Sequence, residues 1–276
     1  MPEGPEVKII TDELRKHIVD KFLYSIDILG GRYQKHDPPK NFQKIINLLP
    51  LKITSINAYG KFIWWEFANT DFTLWNTLGM SGWWKTKDEA HNNICFNYKT
   101  NLTDTKIKKI YFNDMRNFGT FIFDTKNNLE KKIGKFGPDI LSLDKNSVQK
   151  FYSIVKNKKT LICEILLDQK ITAGCGNYLR ADALYLAEIN PFTPGKNLSK
   201  EQIIDLWNTL NQLAWYHYNK KEGIKNKVIT KKYRFADYFD RVFLIYSHKT
   251  DPLGNKVIKN KINNRTIHWV ENIQII

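Results

Sequence analysis

Apolar residues near the start of the chain recur with the period of an amphipathic helix. Val7, Ile10, Leu14 and Ile18 are spaced three or four residues apart, which places them on one helical face. Pro5 suits an early helical position, and the acidic residues beside it complement the helix dipole. The pattern therefore predicts that a helix with one apolar face opens the chain.

The apolar pattern then changes to short segments that are rich in Ile, Phe, Trp, Tyr and Thr and separated by turn residues. This composition is typical of strands that pair with their neighbours along the chain. We therefore predict an antiparallel β-sandwich or barrel, capped by the first helix. The predicted strand segments are residues 22–29, 51–67, 71–86, 93–99 and 107–124.

Helical spacing dominates after a stretch with Gly and Pro at Gly134–Asp139. We place a linker at 134–145, between an N-terminal domain (1–133) and a C-terminal domain (146–276). A glycine-rich turn, Ile171–Asn177, separates two of the helical segments. The predicted helices are 146–157, 160–170, 178–188 and 199–219, the last with a capping box formed by Ser199 and Gln202.

The end of the chain returns to a strand pattern. A strand is predicted near Val242–Tyr246, and Lys256–Ile262 and Thr266–Val270 are predicted to form a hairpin. Its turn is Asn263–Arg265, because Asn tolerates the left-handed conformation that a tight turn needs. Residues 222–241 fit neither period and are predicted to form a mobile loop. The fold class is therefore α+β.

Charge and cysteine content narrow the function. The chain has 43 Lys and Arg against 28 Asp and Glu, a net charge of +15, which favours a polyanionic partner such as nucleic acid. A merely Lys-rich composition is the alternative. Cys95, Cys163 and Cys175 show no paired spacing, so neither a disulfide framework nor a zinc site is expected. No secretion signal or membrane-length apolar run is visible, so we expect an intracellular protein.

The strongest candidate for chemistry is the amino terminus. Removal of Met1 would expose Pro2, a secondary amine whose pKa lies near 8, against about 10.4 for lysine, so a useful fraction is nucleophilic. Attack on a sugar C1′ would give an iminium that acidifies the C2′ proton and permits loss of the 3′ phosphate. Glu3, beside it, could donate a proton to the sugar ring oxygen. The alternative is that both residues only begin a helix.

Seven segments in order resemble the formamidopyrimidine-DNA glycosylase and endonuclease VIII family, from residue 2 to about residue 270. The chain opens with a similar Pro-Glu-Gly-Pro-Glu-Val stretch, and each later segment resembles a family motif. The later segments are Tyr59–Lys61, Leu78–Gly82, Asn113–Gly119, Gly137–Asp139, Gly174–Asn177 and Asn264–Thr266.

The resemblance implies a role for each matching residue. Pro2 would be the Schiff-base nucleophile and Glu3 the acid that assists ring opening. Lys61 would be the third catalytic residue, binding phosphates beside the lesion and supporting catalysis. The others would hold the DNA around an extruded nucleotide: Asn177 and Arg265 on phosphates, and Met80, Arg116 and Phe118 in the gap that the base leaves. Alternatives are a solvated lysine for Lys61, turn stabilisation for Asn177 and an exposed arginine for Arg265. For the three gap-filling residues the alternative is core packing, most of all for Met80.

The chain departs from the family pattern at the terminal hairpin, and this departure indicates which branch of the family it resembles. Family members with a zinc finger carry four cysteines around the terminal hairpin, where this chain has Asp251–Asn255 and Trp269–Asn272. The chain is therefore similar to the zinc-less-finger endonuclease VIII-like branch, found in animals, plants and some large DNA viruses. Packing by Trp269, Val257 and Ile267 would replace the metal. Gly4 and Asn117, where formamidopyrimidine glycosylases carry Leu and Arg, also favour that branch.

The resemblance implies a cofactor-independent, monomeric base-excision-repair glycosylase with AP lyase activity (β,δ-elimination), an N-terminal catalytic sandwich and a helix–two-turn–helix near 160–188. Expected substrates are oxidised pyrimidines, such as thymine glycol and 5-hydroxyuracil, in damaged double-stranded DNA. Single-stranded or bubble DNA, and the nucleus or another DNA-containing compartment, stay open. The alternatives are specificity for 8-oxoguanine and formamidopyrimidines, a non-catalytic damaged-DNA-binding protein, and a generic RNA- or DNA-binding basic protein.

Overall fold

A computed structural model describes residues 2–221 and 242–275. The chain forms two compact units, one of Pro2 with residues 6–135 and the other of residues 3–5 with the chain from Phe136 onward. Helix α1 (Gly4–Ile18) is the predicted first helix. Its apolar face is buried, with exposures of 1 or 2 % at Val7, Ile10, Leu14 and Ile18.

The first unit is built on a sheet of eight strands whose hydrogen-bonded neighbours all run antiparallel. The order across the sheet is β5-β7-β6-β1-β2-β3-β4-β8. The strands are β1 (Phe22–Ile28), β2 (Leu51–Tyr59), β3 (Phe62–Phe67), β4 (Phe72–Thr77), β5 (Trp83–Lys85), β6 (Asn92–Lys99), β7 (Lys108–Asn113) and β8 (Thr120–Thr125).

The sheet folds over on itself to form the predicted sandwich. Strand β1 pairs with β6 along its length but with β2 only at Phe22 and Leu23, so the two halves separate beyond that point. Rings from both halves then meet in the core. The ring centres of Trp65 (β3) and Phe96 (β6) are 5.2 Å apart, and those of Trp84 (β5) and Phe121 (β8) are 5.8 Å apart.

Three predicted strand segments each contain two strands. The first divides at Gly60, the second around Gly79 and the third around Asn117, all of which have positive φ. These positions can therefore reverse the chain where a longer strand was expected. The prediction also missed three helices, which are α2 (Arg32–Lys35), α3 (Phe42–Ile46) and α4 (Lys126–Ile133).

The second unit is helical, as predicted. Its helices are α5 (Asn146–Val155), α6 (Ile162–Ile165), α7 (Asn177–Leu186) and α8 (Lys200–Lys221). Helix α6 is much shorter than predicted, because the chain turns at Asp168, whose side chain accepts a hydrogen bond from Lys170 N. The predicted capping box of α8 is confirmed. Gln202 N donates to Ser199 Oγ at 3.1 Å, and Ser199 N donates to Gln202 Oε1 at 2.9 Å.

The terminal hairpin, called the finger hairpin below, pairs β9 (Ile258–Ile262) with β10 (Arg265–Trp269). Its two turn residues, Asn263 and Asn264, have φ of 46° and 60°, the left-handed conformation expected for asparagine. The predicted strand at Val242–Tyr246 is wrong, since these residues form bends and turns. The loop predicted at 222–241 lies outside the described residues.

Candidate active site

Glu3 is held at the start of helix α7. Its side chain is 1 % exposed, and Oε1 accepts a hydrogen bond from Tyr178 N at 3.0 Å. Oε2 accepts one from Leu179 N at 3.3 Å. First-turn amides have no partner inside their own helix, and the helix dipole favours negative charge there. The start of α7 therefore fixes the position of the residue that follows Pro2.

The glycine-rich turn before α7 leaves room for Glu3. A Cβ placed on Gly176 would lie 2.3 Å from Glu3 Cδ, closer than atoms in contact can come. Gly174 has a φ of 96°, and its carbonyl accepts a hydrogen bond from Gly4 N at 2.9 Å. The side chain of Gln169 bonds Gly174 N and Cys175 O, which fixes the turn from the other side. Gly176 is therefore required sterically.

Pro2 and Lys61 belong to the first unit. Pro2 is half-buried and directly precedes Glu3. Lys61 follows Gly60 in the turn between β2 and β3, where the positive φ of Gly60 lets the chain reverse. Its side chain is also half-buried. Lys61 therefore lies at the tip of a strand pair, as predicted.

Met80, Arg116 and Phe118 lie on two adjacent loops of the sandwich. Arg116 Nη1 is 3.6 Å from Met80 Sδ, and the backbone of Gly79 packs so closely on that of Phe118 that a Cβ there would meet it at 2.6 Å. Met80 is 38 % exposed and Phe118 55 %, so neither is a core residue. We call Met80, Arg116 and Phe118 the loop-tip group.

A buried carboxylate supports the loop-tip group from below. Asp114 is 1 % exposed; its Oδ1 accepts a hydrogen bond from Ser81 Oγ at 2.5 Å and its Oδ2 accepts one from Gly119 N at 2.7 Å. Ser81 Oγ in turn accepts from Arg116 N at 3.0 Å. The exposed side chains therefore project from loops with a fixed base.

Asn177 and Thr266, the neighbour of Arg265 in the finger hairpin, are linked by a residue that the sequence did not indicate. Arg180 is 2 % exposed, and its Nη2 donates to Asn177 Oδ1 at 3.3 Å and to Thr266 O at 2.8 Å. Its Nη1 donates to Cys163 O at 3.2 Å. Burial lowers the pKa of Arg180 from its usual range. The only signal in the sequence was an arginine one helical turn after Asn177.

Two buried aspartates hold what we call the finger region, residues 242–275, which contains the finger hairpin. Asp182 accepts hydrogen bonds from the backbone N–H groups of Leu244, Ile245 and Tyr246 at 2.9, 3.0 and 3.2 Å, and burial raises its pKa to about 6. Asp251 accepts from Tyr185 Oη at 3.0 Å and from Asn255 N at 2.7 Å.

The finger region does not present a zinc site. Among residues 2–221 and 242–275, no three His, Cys, Asp or Glu side chains are grouped so that they could hold a metal ion. The oxygens of Asp251 are engaged by backbone N–H groups, a tyrosine hydroxyl and an asparagine amide. Hydrogen bonds therefore occupy the position where zinc-finger relatives are expected to carry cysteine.

Three models of one protein family match the chain consecutively. The formamidopyrimidine-DNA glycosylase N-terminal domain matches residues 1–121, the H2TH domain matches 136–227, and the C-terminal domain matches 237–275. The H2TH domain is the helix–two-turn–helix domain, and its match contains the turn that surrounds Glu3.

Whole proteins give the same result. The chain is 32% identical over 210 residues to the formamidopyrimidine-DNA glycosylase of Mycoplasma mobile, covering 74% of this chain and 72% of that protein. It is 29% identical over 291 residues to the enzyme of Ureaplasma parvum, covering 99% and 100%. The Lactococcus lactis enzyme bound to DNA with an AP site superposes with a TM-score of 0.79 at 22% identity, over 97% of each chain. The Thermus thermophilus protein gives 0.78 at 20% identity, over 99% and 98%.

The fold and the sequence matches define a DNA glycosylase with a helix–two-turn–helix domain. The chain belongs to the formamidopyrimidine-DNA glycosylase family. The relatives named above all carry the formamidopyrimidine name, so the endonuclease VIII-like branch and an origin in a large DNA virus stay predictions. None of the helices in the described part of the chain is long and apolar enough to cross a membrane.

Proposed function

We propose that this glycosylase removes oxidised bases from DNA and then cleaves the strand, with Pro2 as the nucleophile. The observation that carries the proposal is the burial of Glu3 against the first-turn amides of α7, in a turn whose Gly176 leaves room only for that side chain. If Glu3 only began helix α1, its carboxyl group would not need a buried site of this kind. The Glu3 carboxyl group is therefore fixed one residue away from the Pro2 nitrogen, the proposed nucleophile.

The proposed reaction begins with attack of the Pro2 nitrogen on C1′ of the damaged nucleotide. The bond between C1′ and the base breaks, and its electron pair leaves with the base, which takes up a proton. Glu3 donates a proton to the ring oxygen, so the sugar opens to an iminium. Loss of the C2′ proton then expels the 3′ phosphate, and a second elimination expels the 5′ phosphate. Both electron pairs leave on phosphate oxygens.

The other predicted residues would hold the DNA. Extruding a nucleotide costs a few kcal/mol of stacking, which the exposed loop-tip group could offset by occupying the gap. Lys61, Asn177 and Arg265 would contact phosphates around the extruded nucleotide, a role that suits a lysine, an amide and an arginine. The proposed partner is therefore damaged duplex DNA.

For the lesion we propose oxidised pyrimidines. Asn117 occupies the position of the second arginine expected in formamidopyrimidine glycosylases. Its Oδ1 accepts a hydrogen bond from Asn93 Nδ2 at 2.8 Å within the sandwich. The loop therefore presents one arginine, Arg116. The relatives' name favours a second candidate, 8-oxoguanine and formamidopyrimidines. The Lactococcus enzyme has been crystallised with DNA containing an oxidised pyrimidine and with DNA containing Fapy-dG.

Borohydride trapping tests the nucleophile and the lesion class together. Duplexes would carry one thymine glycol, one 8-oxoguanine opposite cytosine, or one abasic site, and the protein would first be shown to lack Met1. We expect a covalent adduct that mass mapping places on the N-terminal peptide and that Pro2→Gly weakens or removes. The lesion that gives more adduct, thymine glycol or 8-oxoguanine, identifies the preferred substrate class. No adduct on any of the three would refute the lyase and favour a damage-binding protein.

The site around Glu3 gives a second test. Gly176→Ala places a methyl group on the Glu3 carboxyl, so we expect base excision to fall at least about a hundredfold, the loss typical of a misplaced catalytic group. Gly30→Ala is the matched control, because a Cβ there meets nothing closer than 3.6 Å. Full activity in Gly176→Ala would mean that the position of Glu3 does not matter.

A further inference from the structure

Five exposed lysines converge on one surface of the second unit. We call Lys156, Lys158, Lys159, Lys196 and Lys200 the lysine cluster. Lys196 N donates to Lys158 O at 2.8 Å, which joins the loop before α8 to the segment after α5. The ammonium groups of Lys156 and Lys200 lie 5.4 and 5.8 Å from the centre of the Tyr152 ring. Three separate segments therefore contribute positive charge to one patch.

This concentration of charge works against stability. In the described part of the chain, none of the five lysines forms an ion pair within 4.0 Å of a carboxylate. Lys200 is also the first residue of α8, where the helix dipole disfavours a cation. Like charges held close together repel one another. An anion bound at the cluster would relieve this repulsion.

The cluster and the residues proposed to hold the lesion lie on different elements of the second unit. Asn177 begins α7, whereas the loop that carries Lys196 follows the other end of that helix. None of the five lysines lies on α7 or on the finger hairpin, so the cluster is formed by segments other than those that carry Asn177 and Arg265.

We propose that the lysine cluster binds backbone phosphates of duplex DNA beyond those that Asn177 and Arg265 hold. The inference rests on the DNA binding proposed above and extends it to a second contact surface. Lysines are point charges that suit phosphates without reading sequence, and each phosphate contact gains free energy by releasing counterions. The Tyr152 ring lies against two ammonium groups, which favours a charged partner over an apolar peptide. The phosphates can belong to the flanking part of the same duplex or to a second duplex.

The test compares two variants that each lose four positive charges. The first carries Lys156→Gln, Lys158→Gln, Lys159→Gln and Lys196→Gln. The control carries Lys44→Gln, Lys106→Gln, Lys108→Gln and Lys109→Gln, which replace exposed lysines of the first unit. Affinity for an abasic-site duplex is measured against salt concentration, with duplexes of about one and about three helical turns (~10 and ~30 base pairs).

For the cluster variant we expect the slope of log affinity against log salt to become shallower by about 0.9 for each lysine that contacts a phosphate. Affinity for the long duplex should fall roughly tenfold at moderate salt, and the control should change much less. Loss on the long duplex alone assigns the phosphates to flanking DNA. If the cluster variant differs from the unmodified protein on the short duplex only when a second, undamaged duplex is present, the phosphates belong to another DNA molecule.

Equal slopes for the cluster variant, the control and the unmodified protein would overturn the proposal. So would binding of an acidic protein in preference to the long duplex. Thermal unfolding of the cluster variant should occur at an equal or higher temperature, because repulsion is removed. Borohydride trapping on the short duplex should remain unchanged. Failure of the second surface is thereby distinguished from failure of the Pro2 chemistry.

Discussion

The sandwich core and the finger region are stabilised in different ways. In the sandwich, Trp65, Trp84, Phe96, Phe112 and Phe121 are 0 to 6 % exposed and pack in a network with ring centres 4.8 to 6.2 Å apart. Each ring contacts several others. Shortening one ring leaves the contacts among the others in place, so a single conservative change should cost little free energy of unfolding.

The finger hairpin has only two strands, which are marginal in water by themselves. The apolar side chains predicted to hold the hairpin are 2 to 9 % exposed and pack into the apolar core of the second unit: Val257, Ile267 and Trp269. A few buried polar groups add to this packing: Arg180 bonds Thr266 O, and Asp182 bonds three amides of the chain before the hairpin. No neighbouring group duplicates these bonds in the described structure. A motif that is too small for an apolar core of its own is therefore held by packing on the core of the second unit and by single buried polar residues.

The largest effect is expected for Asp182→Ala. Three buried backbone N–H groups would lose their acceptor, at about 1 kcal/mol or more each, so the free energy of unfolding should fall by about 3 kcal/mol or more. Urea unfolding measures the change, and Asp182→Asn should be less damaging because it keeps one acceptor oxygen. Asp168→Ala is the control, since Asp168 is exposed and bonds one local amide. Equal losses in the two alanine variants would contradict the comparison.

Arg180→Met should affect DNA binding more than stability. The methionine fills similar volume, and removal of a buried charge offsets part of the lost hydrogen bonding, so unfolding should change by less than about 2 kcal/mol. Asn177 and the finger hairpin would lose their link, and affinity for an abasic-site duplex should fall about tenfold, equivalent to about 1.4 kcal/mol. Arg180→Lys should not restore binding, because one ammonium cannot reach all three acceptors. Unchanged affinity would show that Arg180 has no positioning role.

The second unit should lose stability in acid. Burial lowers the pKa of His217 and of His268 from 6.5 to about 4, so between these pH values the unfolded chain binds more protons and stability falls as the pH decreases. Asp182 acts in the opposite sense, because its raised pKa adds stability as the pH falls through about 6. The stability lost at the two histidines exceeds the stability gained at the one aspartate, so the unfolding temperature should be lower at pH 5 than at pH 7.5.

A substitution at one of these histidines identifies the cause. His217 packs against Tyr178 and Phe243, so His217→Phe suits the site and should reduce the decrease in unfolding temperature between pH 7.5 and pH 5. The same decrease in both proteins would exclude His217 as a source.

The smallest effect is expected in the sandwich. Phe96→Leu removes part of one ring that has three aromatic neighbours, and the free energy of unfolding should fall by about 1 kcal/mol. Glycosylase activity at 25 °C should not change. A loss as large as that of Asp182→Ala would mean that the two regions do not differ as described.

Local periodicity predicted the elements whose stability is local. Helix α1, the capping box at Ser199 and the turn of the finger hairpin all follow from residues close in sequence, and the structure contains them. Val242–Tyr246 has strand composition, but the distant carboxylate of Asp182 binds three of its amides and imposes bends instead. A contact between residues this far apart leaves no periodic signal.

The residues of the candidate site also divide into those that the sequence indicates and those that only the folded chain reveals. The residue types of Pro2 and Glu3 suggested the chemistry, while their selection over a simple helix start depended on the resemblance to a family. Arg180 was missed because a buried arginine inside a helix has the same local pattern as a solvated one. The steric role of Gly176 is visible only in the folded chain. Nothing near it in sequence indicates that Glu3 occupies the space where a side chain on residue 176 would lie.

The contact between Glu3 and Gly176 has an evolutionary consequence. The two residues come from distant parts of the chain, yet one occupies the volume that a side chain on the other would need. A mutation that enlarges residue 176 can therefore persist only with a shorter residue 3, which would withdraw the carboxyl group. Residue 176 is therefore expected to change only together with residue 3, although the two are more than 170 positions apart in the chain.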